Sequence, residues 1–332
     1  MLQPESLKNL AYTDDLTPAG IAYLRHNLQH VGVLGENLHV KRMWQVVAEK
    51  AVELAFRRHL DEAEVPYALL EPNTLNEHQT ATLTLGGRRC HLQVHGISRR
   101  DEIKGLQRNT GLHLDAAAYV PKDFLQAERI SGEDILVFAY LHALVTRSQQ
   151  DIKDALDADQ PVHFMAAMPK AWSHPGQWRD LGPLVVKADH TETLDLELSG
   201  QDEERAYHCH TVALPPQTRL EVETAFFALT HLHPQQLPSG PVGIHSPVLA
   251  DTYVVEPYQW VNLWVYGMRI VLGAYFPVAE FRQHAEHLAA ESLVLAERIP
   301  HDAFAMPLNE LRPMDDLFVR AKNWESQRKR GE

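Results

Sequence analysis

Three polar side chains whose types can do chemistry share one short stretch, LTLGGRRCHLQVHG at residues 83–96. With Gly86-Gly87 as a tight turn, the second strand alternates: Cys90, Leu92 and Val94 fall on one face, His91, Gln93 and His95 on the other. Polar residues so spaced beside a hairpin are how many metal-dependent hydrolases hold a cation and its water, and an ordinary wet strand face gives the same pattern. A second set is made by His208 and His210 around Cys209 and by His231 and His233 around Leu232. Each pair shares a strand face, so on neighbouring strands four imidazoles would converge. Imidazole suits Zn²⁺ or Mn²⁺, so His208 and His210 are the candidates if a metal is bound here, the other reading being exposed strand histidines.

The elements that must position these residues follow from periodicity. In NLHVKRMWQVVAEKAVELAFRRHLDE, apolar residues Val40, Met43, Val47, Ala51 and Leu54 recur every three or four positions, which predicts a long helix from Asn37 to about Glu62. Glu49, Glu53 and Arg57 lie at i, i+4 and i+8 on another stripe, the pattern of a solvent-facing ladder of ion pairs. The period then switches to two: strands are predicted at 67–70, 117–120, 134–144 and 162–168 with a hairpin at 80–95, the run DILVFAYLHAL being apolar enough for a buried strand. A Pro-, Trp- and Gly-rich loop, PKAWSHPGQWRDLGP, marks a boundary. Strand and turn signals alone fill the rest to about 250. WVNLWVYG with MRIVLGAYF reads as a hairpin, VAEFRQHAEHLAAE as a helix behind Pro277, and Trp260, Trp264 and Tyr266 as a core or subunit-contact stripe. The expected organisation is an N-terminal helical arm at 1–30, an α/β core at 31–180, a β-rich module at 181–250 and a hairpin, helix and basic tail at 251–332.

Composition bounds the function. The 332 residues are 45% hydrophobic and 23% charged, which suits two ordinary domains or one with a large insertion. No run of about 18 apolar residues occurs, and MLQPESLKNL has neither a basic nor an apolar leader pattern. Cys90 and Cys209 lie far apart without zinc spacing, so a soluble, cytoplasmic protein is expected. A net charge of -13 argues against a surface that embraces nucleic acid throughout. Locally, however, Arg88, Arg89, Arg99, Arg100, Lys104 and Arg108 face only Asp101 and Glu102, and the tail adds Arg320, Lys322, Arg328, Lys329 and Arg330. Walker, dinucleotide, nucleophile-elbow and zinc-finger signatures are absent from the sequence.

A long glutamate-bearing helix, a hairpin with an alternating polar triplet, a further strand and a buried DILVFAYL-type strand occur in the order that resembles the core of the PD-(D/E)XK nuclease superfamily. The resemblance covers roughly residues 37–168, and IVLGAYFPVAEFRQHA followed by LNELRP is similar to the tail of some members. It implies an α/β fold with a restriction-endonuclease-like mixed sheet flanked by helices, here with an additional all-β module. In that family a helix glutamate, an Asp on the first hairpin strand, and an acidic residue and a Lys two apart on the second hold Mg²⁺ and orient its water. Carried over, these positions are Glu49 (or Glu53), Thr82, His91 and Gln93. Three of the four lack the chemistry, and one Glu with neutral partners binds a hard cation poorly.

The resemblance therefore implies a catalytically degenerate, nuclease-like subunit of a bacterial nucleic-acid-processing or defence assembly, binding nucleic acid or a partner subunit through Arg88, Arg89, Arg99, Arg100 and Lys104. Two other readings stay open. In one, His91, His95 and Glu49 hold Zn²⁺ or Mn²⁺ in an active nuclease with unusual ligands, with Mg²⁺ as the family's own cofactor. In the other, favoured by the acidic total charge, the chain is a protein-interaction scaffold with no nucleic-acid role. The 208/210 pair is similar to HxH usage in cupin metal sites, but the following VALPPQ supplies no glutamate.

Overall fold

The structure is a computed structural model and describes residues 2–27, 36–70, 81–295 and 297–331. It is mixed α/β and divides into two compact units, one of residues 1–23, 45–144 and 265–332, the other of residues 24–44 and 145–264. In chain order the first stretch holds β1 (Lys8–Ala11), α1 (Leu16–His26), α2 (Glu36–Glu62), β2 (Tyr67–Leu69), β3 (Ala81–Leu85), β4 (Arg88–Ile97), α3 (Arg100–Arg108), β5 (Ala117–Pro121), α4 (Lys122–Gln126) and β6 (Ile135–Leu144). The next holds α5 (Gln149–Asp157), β7 (Phe164–Ala167), α6 (Lys170–Ser173), β8 (Leu184–Ala188), β9 (Leu194–Gln201), β10 (Tyr207–Leu214), β11 (Arg219–Val222), β12 (Ala228–Pro234), β13 (Val242–Ser246), β14 (Asp251–Val255) and β15 (Val261–Asn262). The chain closes with β16 (Tyr266–Pro277), α7 (Val278–His284), β17 (Glu286–Leu288), β18 (Leu293–Val294), β19 (Glu297–Arg298), β20 (Ala303–Pro307) and α8 (Met314–Gly331). No helix among the described residues is long and apolar enough to cross a membrane.

The first unit is built on a six-stranded sheet in the order β1-β16-β6-β4-β3-β2. β6 is its centre, buried from Ile135 to Ala143, which is why its sequence is a continuous apolar run rather than an alternation. β4 lies parallel to it, and a parallel neighbour requires a crossover, which here contains α3. β3 and β4 form the predicted hairpin, with Gly86 and Gly87 at φ of 55° and 82°, the left-handed pair that a two-residue turn demands. A Cβ on Gly86 would stand 2.5 Å from Trp324 Cβ of α8, so the turn is both conformationally and sterically reserved for glycine. Gly86→Ala is accordingly expected to destabilise this unit by about 2 kcal/mol or more, read as a lower denaturant midpoint.

Three elements differ from the sequence reading. The N-terminal arm is not only helical, because β1 adds an edge strand beside β16, pairing Lys8 with Leu272 through Ala11 with Arg269. The WVNLWVYG–MRIVLGAYF hairpin does not form. β15 pairs with β7 instead, and the buried Asn262 amide oxygen accepts from His163 N and Trp264 N, breaking the run into two strands. The helix behind Pro277 stops at His284, and Glu286–Leu288 pairs as β17 with β20, so strand pairing overrides the local helical period.

The second unit is built on β7 to β15, with the helical residues 24–26 and 36–44, α5 and α6. Two antiparallel sheets, β10-β9-β12-β7-β15 and β11-β8-β13-β14, share one apolar core of Leu196, Leu198 and Leu232 from one and Leu184, Val186 and Ile244 from the other. Trp260 is fully buried in that core, whereas Trp264 and Tyr266, read with it as one strand stripe, are half-buried and do not share a strand with it. Alternation along each strand turns the remaining face of the first sheet away from it.

Candidate functional site

The parallel register places His91, Gln93 and His95 beside Leu136, Phe138 and Tyr140, so the polar triplet of β4 looks into an apolar core. It is not a wet face: the three residues are 2%, 6% and 8% exposed. His91 Nε2 lies 2.9 Å from Asp134 Oδ2, and its ring meets Phe124 edge-on. Asp134 also accepts from Ser131 N. His95 packs on Tyr119 at 4.2 Å and on Tyr140 at 5.5 Å, and burial pulls its pKa down to about 3 while pushing Tyr119 up to about 12. Asp134 escaped the sequence reading because it precedes β6 and reaches His91 only through the parallel pairing.

Beyond β4 on the same face, His113 and His142 stack with their Nε2 atoms 3.0 Å apart. His113 Nδ1 donates to the Thr110 carbonyl, so His113 Nε2 must accept and His142 Nε2 must donate. Each ring therefore carries one proton. Burial first, then the mutual proximity of the rings and Arg269, holds His142 down to about 4.

The glutamates of α2 do not join this row. Glu49 is half-buried and accepts from Gln45 Nε2 at 2.8 Å. Glu53 is not part of a solvent-facing ladder: it is 5% exposed, with Lys50 at 2.8 Å and Arg57 at 3.5 Å. The apolar cluster around His91 and His95 draws no described residue from α2. The Thr82 side chain lies outside the described residues. Among the described residues no group of three or more His, Cys, Asp or Glu is placed to hold a metal ion. The Mg²⁺ that the family resemblance implies therefore does not fit: its second-strand positions are an imidazole already bonded to Asp134 and an amide, both in the core.

The basic segment separates into two parts. Arg88 lies over the Trp324 ring at 4.3 Å and pairs with Glu133, while Arg89 donates to the Arg129 carbonyl. On α3, Ile103 and Leu106 are buried, which turns Arg100, Lys104 and Arg108 outward at i, i+4 and i+8. All three are exposed, and none makes an ion pair with a described residue. Arg99, also exposed, stands at the N-cap position without a side-chain capping bond and lies near Glu102. In the tail Arg320 pairs with Asp316, and Arg328 and Lys329 with Glu325, which neutralises much of that charge.

The two histidine pairs of the second unit do not converge. β9 separates β10 from β12, and register places His208 and His210 opposite Gly200 and Leu198, whereas His231 and His233 stand opposite Ser199 and Glu197. The pairs thus occupy opposite sheet faces. His208 stacks on Phe226 at 4.5 Å and His210 Nδ1 meets Thr224 Oγ1 at 2.9 Å, partners of an ordinary strand surface. His231 and His233 are buried at 4% each, not exposed. No family model matches the chain, and no curated protein and no solved structure matches it.

Proposed function

We propose that this chain is a catalytically degenerate, nuclease-like subunit that binds nucleic acid through the outer face of α3, in a nucleic-acid-processing or defence assembly. The observation that carries the reading is the unpaired stripe Arg100, Lys104 and Arg108 on a helix anchored by Ile103 and Leu106. Three lysine or arginine side chains on one face without carboxylate partners suit phosphate contact, which is a matter of counterion release and needs no acidic residue. The restriction-endonuclease-like part of the reading is supported by the order of helix, hairpin and central parallel strand and by the position of the hairpin beside that strand. The degenerate part is supported by the core burial of His91 and Gln93 and by the hydrogen bond that His91 already makes to Asp134.

The reading is tested with labelled duplex DNA and RNA at low salt. An Arg100→Ala/Lys104→Ala/Arg108→Ala variant is expected to bind at least about 10-fold more weakly than the wild type, with no cleavage by either protein in Mg²⁺ or Mn²⁺. Equal binding by both proteins would remove α3 from the account, and cleavage by the wild type would revive a metal-dependent activity. Because Arg100, Lys104 and Arg108 are exposed, the variant is expected to keep the wild-type unfolding midpoint, so a loss of binding is not a loss of fold.

A further inference from the structure

The second unit carries a polar sheet face that nucleic-acid binding does not use. Opposite the apolar core, β9 presents Glu197 and Ser199, β12 presents His233 and His231 beside them, and β10 presents Cys209 across from Ser199. His163, just ahead of β7, brings its ring to 5.5 Å from that of His233, and the His231 ring lies 6.2 Å from it on the same strand. Arg25 of α1 pairs with Glu197 and comes within 4.0 Å of Cys209 Sγ.

What these groups lack is as informative as what they make. Arg25 Nε, His163 Nε2 and both ring nitrogens of His233 are buried without a hydrogen-bond partner. A guanidinium Nε can only donate, and a neutral imidazole carries one N–H and one acceptor nitrogen, so the unpaired set holds at least two donors, Arg25 Nε and one nitrogen of His233. Unpaired donors in a protein interior are destabilising, and two on one face beside a guanidinium point to an occupant that accepts hydrogen bonds. A divalent cation is the wrong occupant. Besides burial, the Arg25 charge is one of the influences that hold His163 and His233 neutral. No described set of three ligands is arranged for one.

We propose that this face binds a small oxyanion, a phosphate or carboxylate group, between Arg25, His163 and His233, and that an imidazole takes up a proton as the anion enters. The charged and titratable groups around His233 are Arg25 from α1, Glu197 from β9, Tyr207 and Cys209 from β10, His163 ahead of β7, and His231 on its own strand. Arg25 and Glu197 cancel, so an arriving anion supplies the negative charge that makes an imidazolium favourable there.

Isothermal titration calorimetry of the full chain tests this, with inorganic phosphate and with acetate as separate probes, each in two buffers of different ionisation enthalpy. One probe is expected to bind at one site per chain with net proton uptake, its affinity rising several-fold, and at most about tenfold, for each pH unit lowered below 7.5. His233→Gln is expected to weaken it at least about tenfold. Should that variant fail to fold, Arg25→Lys, which keeps the charge and loses the planar donor set, is expected to do the same. The Arg100→Ala/Lys104→Ala/Arg108→Ala variant should bind the probe as the wild type does, which separates this site from α3. Absence of binding by both probes at millimolar concentration, binding without proton uptake, or loss of the heat in the α3 variant would overturn the proposal. So would Zn²⁺ alone binding with proton release in the wild type and not in His233→Gln.

Discussion

Lowering the pH from 7 to 5 is expected to remove about 2 kcal/mol of folding stability for each deeply buried neutral imidazole, and to unfold the chain near pH 5 in mild denaturant. The cause is linkage. In the unfolded chain a histidine protonates near 6.5, whereas burial holds His95 down to about 3 and His163 down to about 4. His233 is held well below its usual value by burial first, then by His163, His231 and Arg25. Because the folded values are depressed, the unfolded state binds protons first as pH falls. The stability is fully present above 6.5 and declines by about 1.4 kcal/mol per unit per group until the folded value is reached. His163 alone removes about 2 kcal/mol by pH 5, and His233 adds to the loss in the same direction, against the ~5–15 kcal/mol that holds a domain together. Denaturant midpoints at pH 7, 6 and 5 check this. His95→Phe, placed among Tyr119, Phe138 and Tyr140, is expected to flatten the profile of the first unit by about 2 kcal/mol at pH 5. A profile flat between pH 7 and 5 would contradict the burial of these rings.

His91→Ala is expected to be the most destabilising single substitution on the β4 face, at about 3–5 kcal/mol. The imidazole and the Asp134 carboxylate are 3% and 4% exposed and 2.9 Å apart, so removing the ring leaves a buried carboxylate with Ser131 N as its remaining described donor. It also leaves a cavity against Phe124. Pairing the change with Asp134→Asn removes the stranded charge, so the double variant should be more stable than the sum of the two singles by about 1 kcal/mol or more. Additive single effects would mean that His91 and Asp134 are not coupled. Loss of nucleic-acid binding in either variant while the unfolding midpoint holds would place His91 in a site rather than in the core.

What the sequence made legible is what period and punctuation encode. The β6 run, the α2 stripe and the Gly86-Gly87 turn each carry their own signal, and each forms where expected. The β4 triplet shows the limit: alternation establishes that His91, Gln93 and His95 share a face, yet nothing local says whether that face meets water or Phe138 and Tyr140. Only the parallel pairing with β6 decides it. The same holds for the histidine pairs, where one intervening strand, β9, sends His208 and His231 to opposite faces. His163 and Arg25 lie far in sequence from His233, and no spacing connects them. The basic segment 88–108 becomes a stripe only on α3, a helix the sequence reading lacked, where the buried Ile103 and Leu106 fix which residues point outward.

The most direct measurement of the central claim is the salt dependence of wild-type binding to a labelled duplex, followed by fluorescence anisotropy from 50 to 200 mM salt. If Arg100, Lys104 and Arg108 each neutralise one phosphate, log K against log salt concentration should fall with a slope of roughly -2.7. A slope near zero, or no binding at the lowest salt, would contradict the nucleic-acid reading.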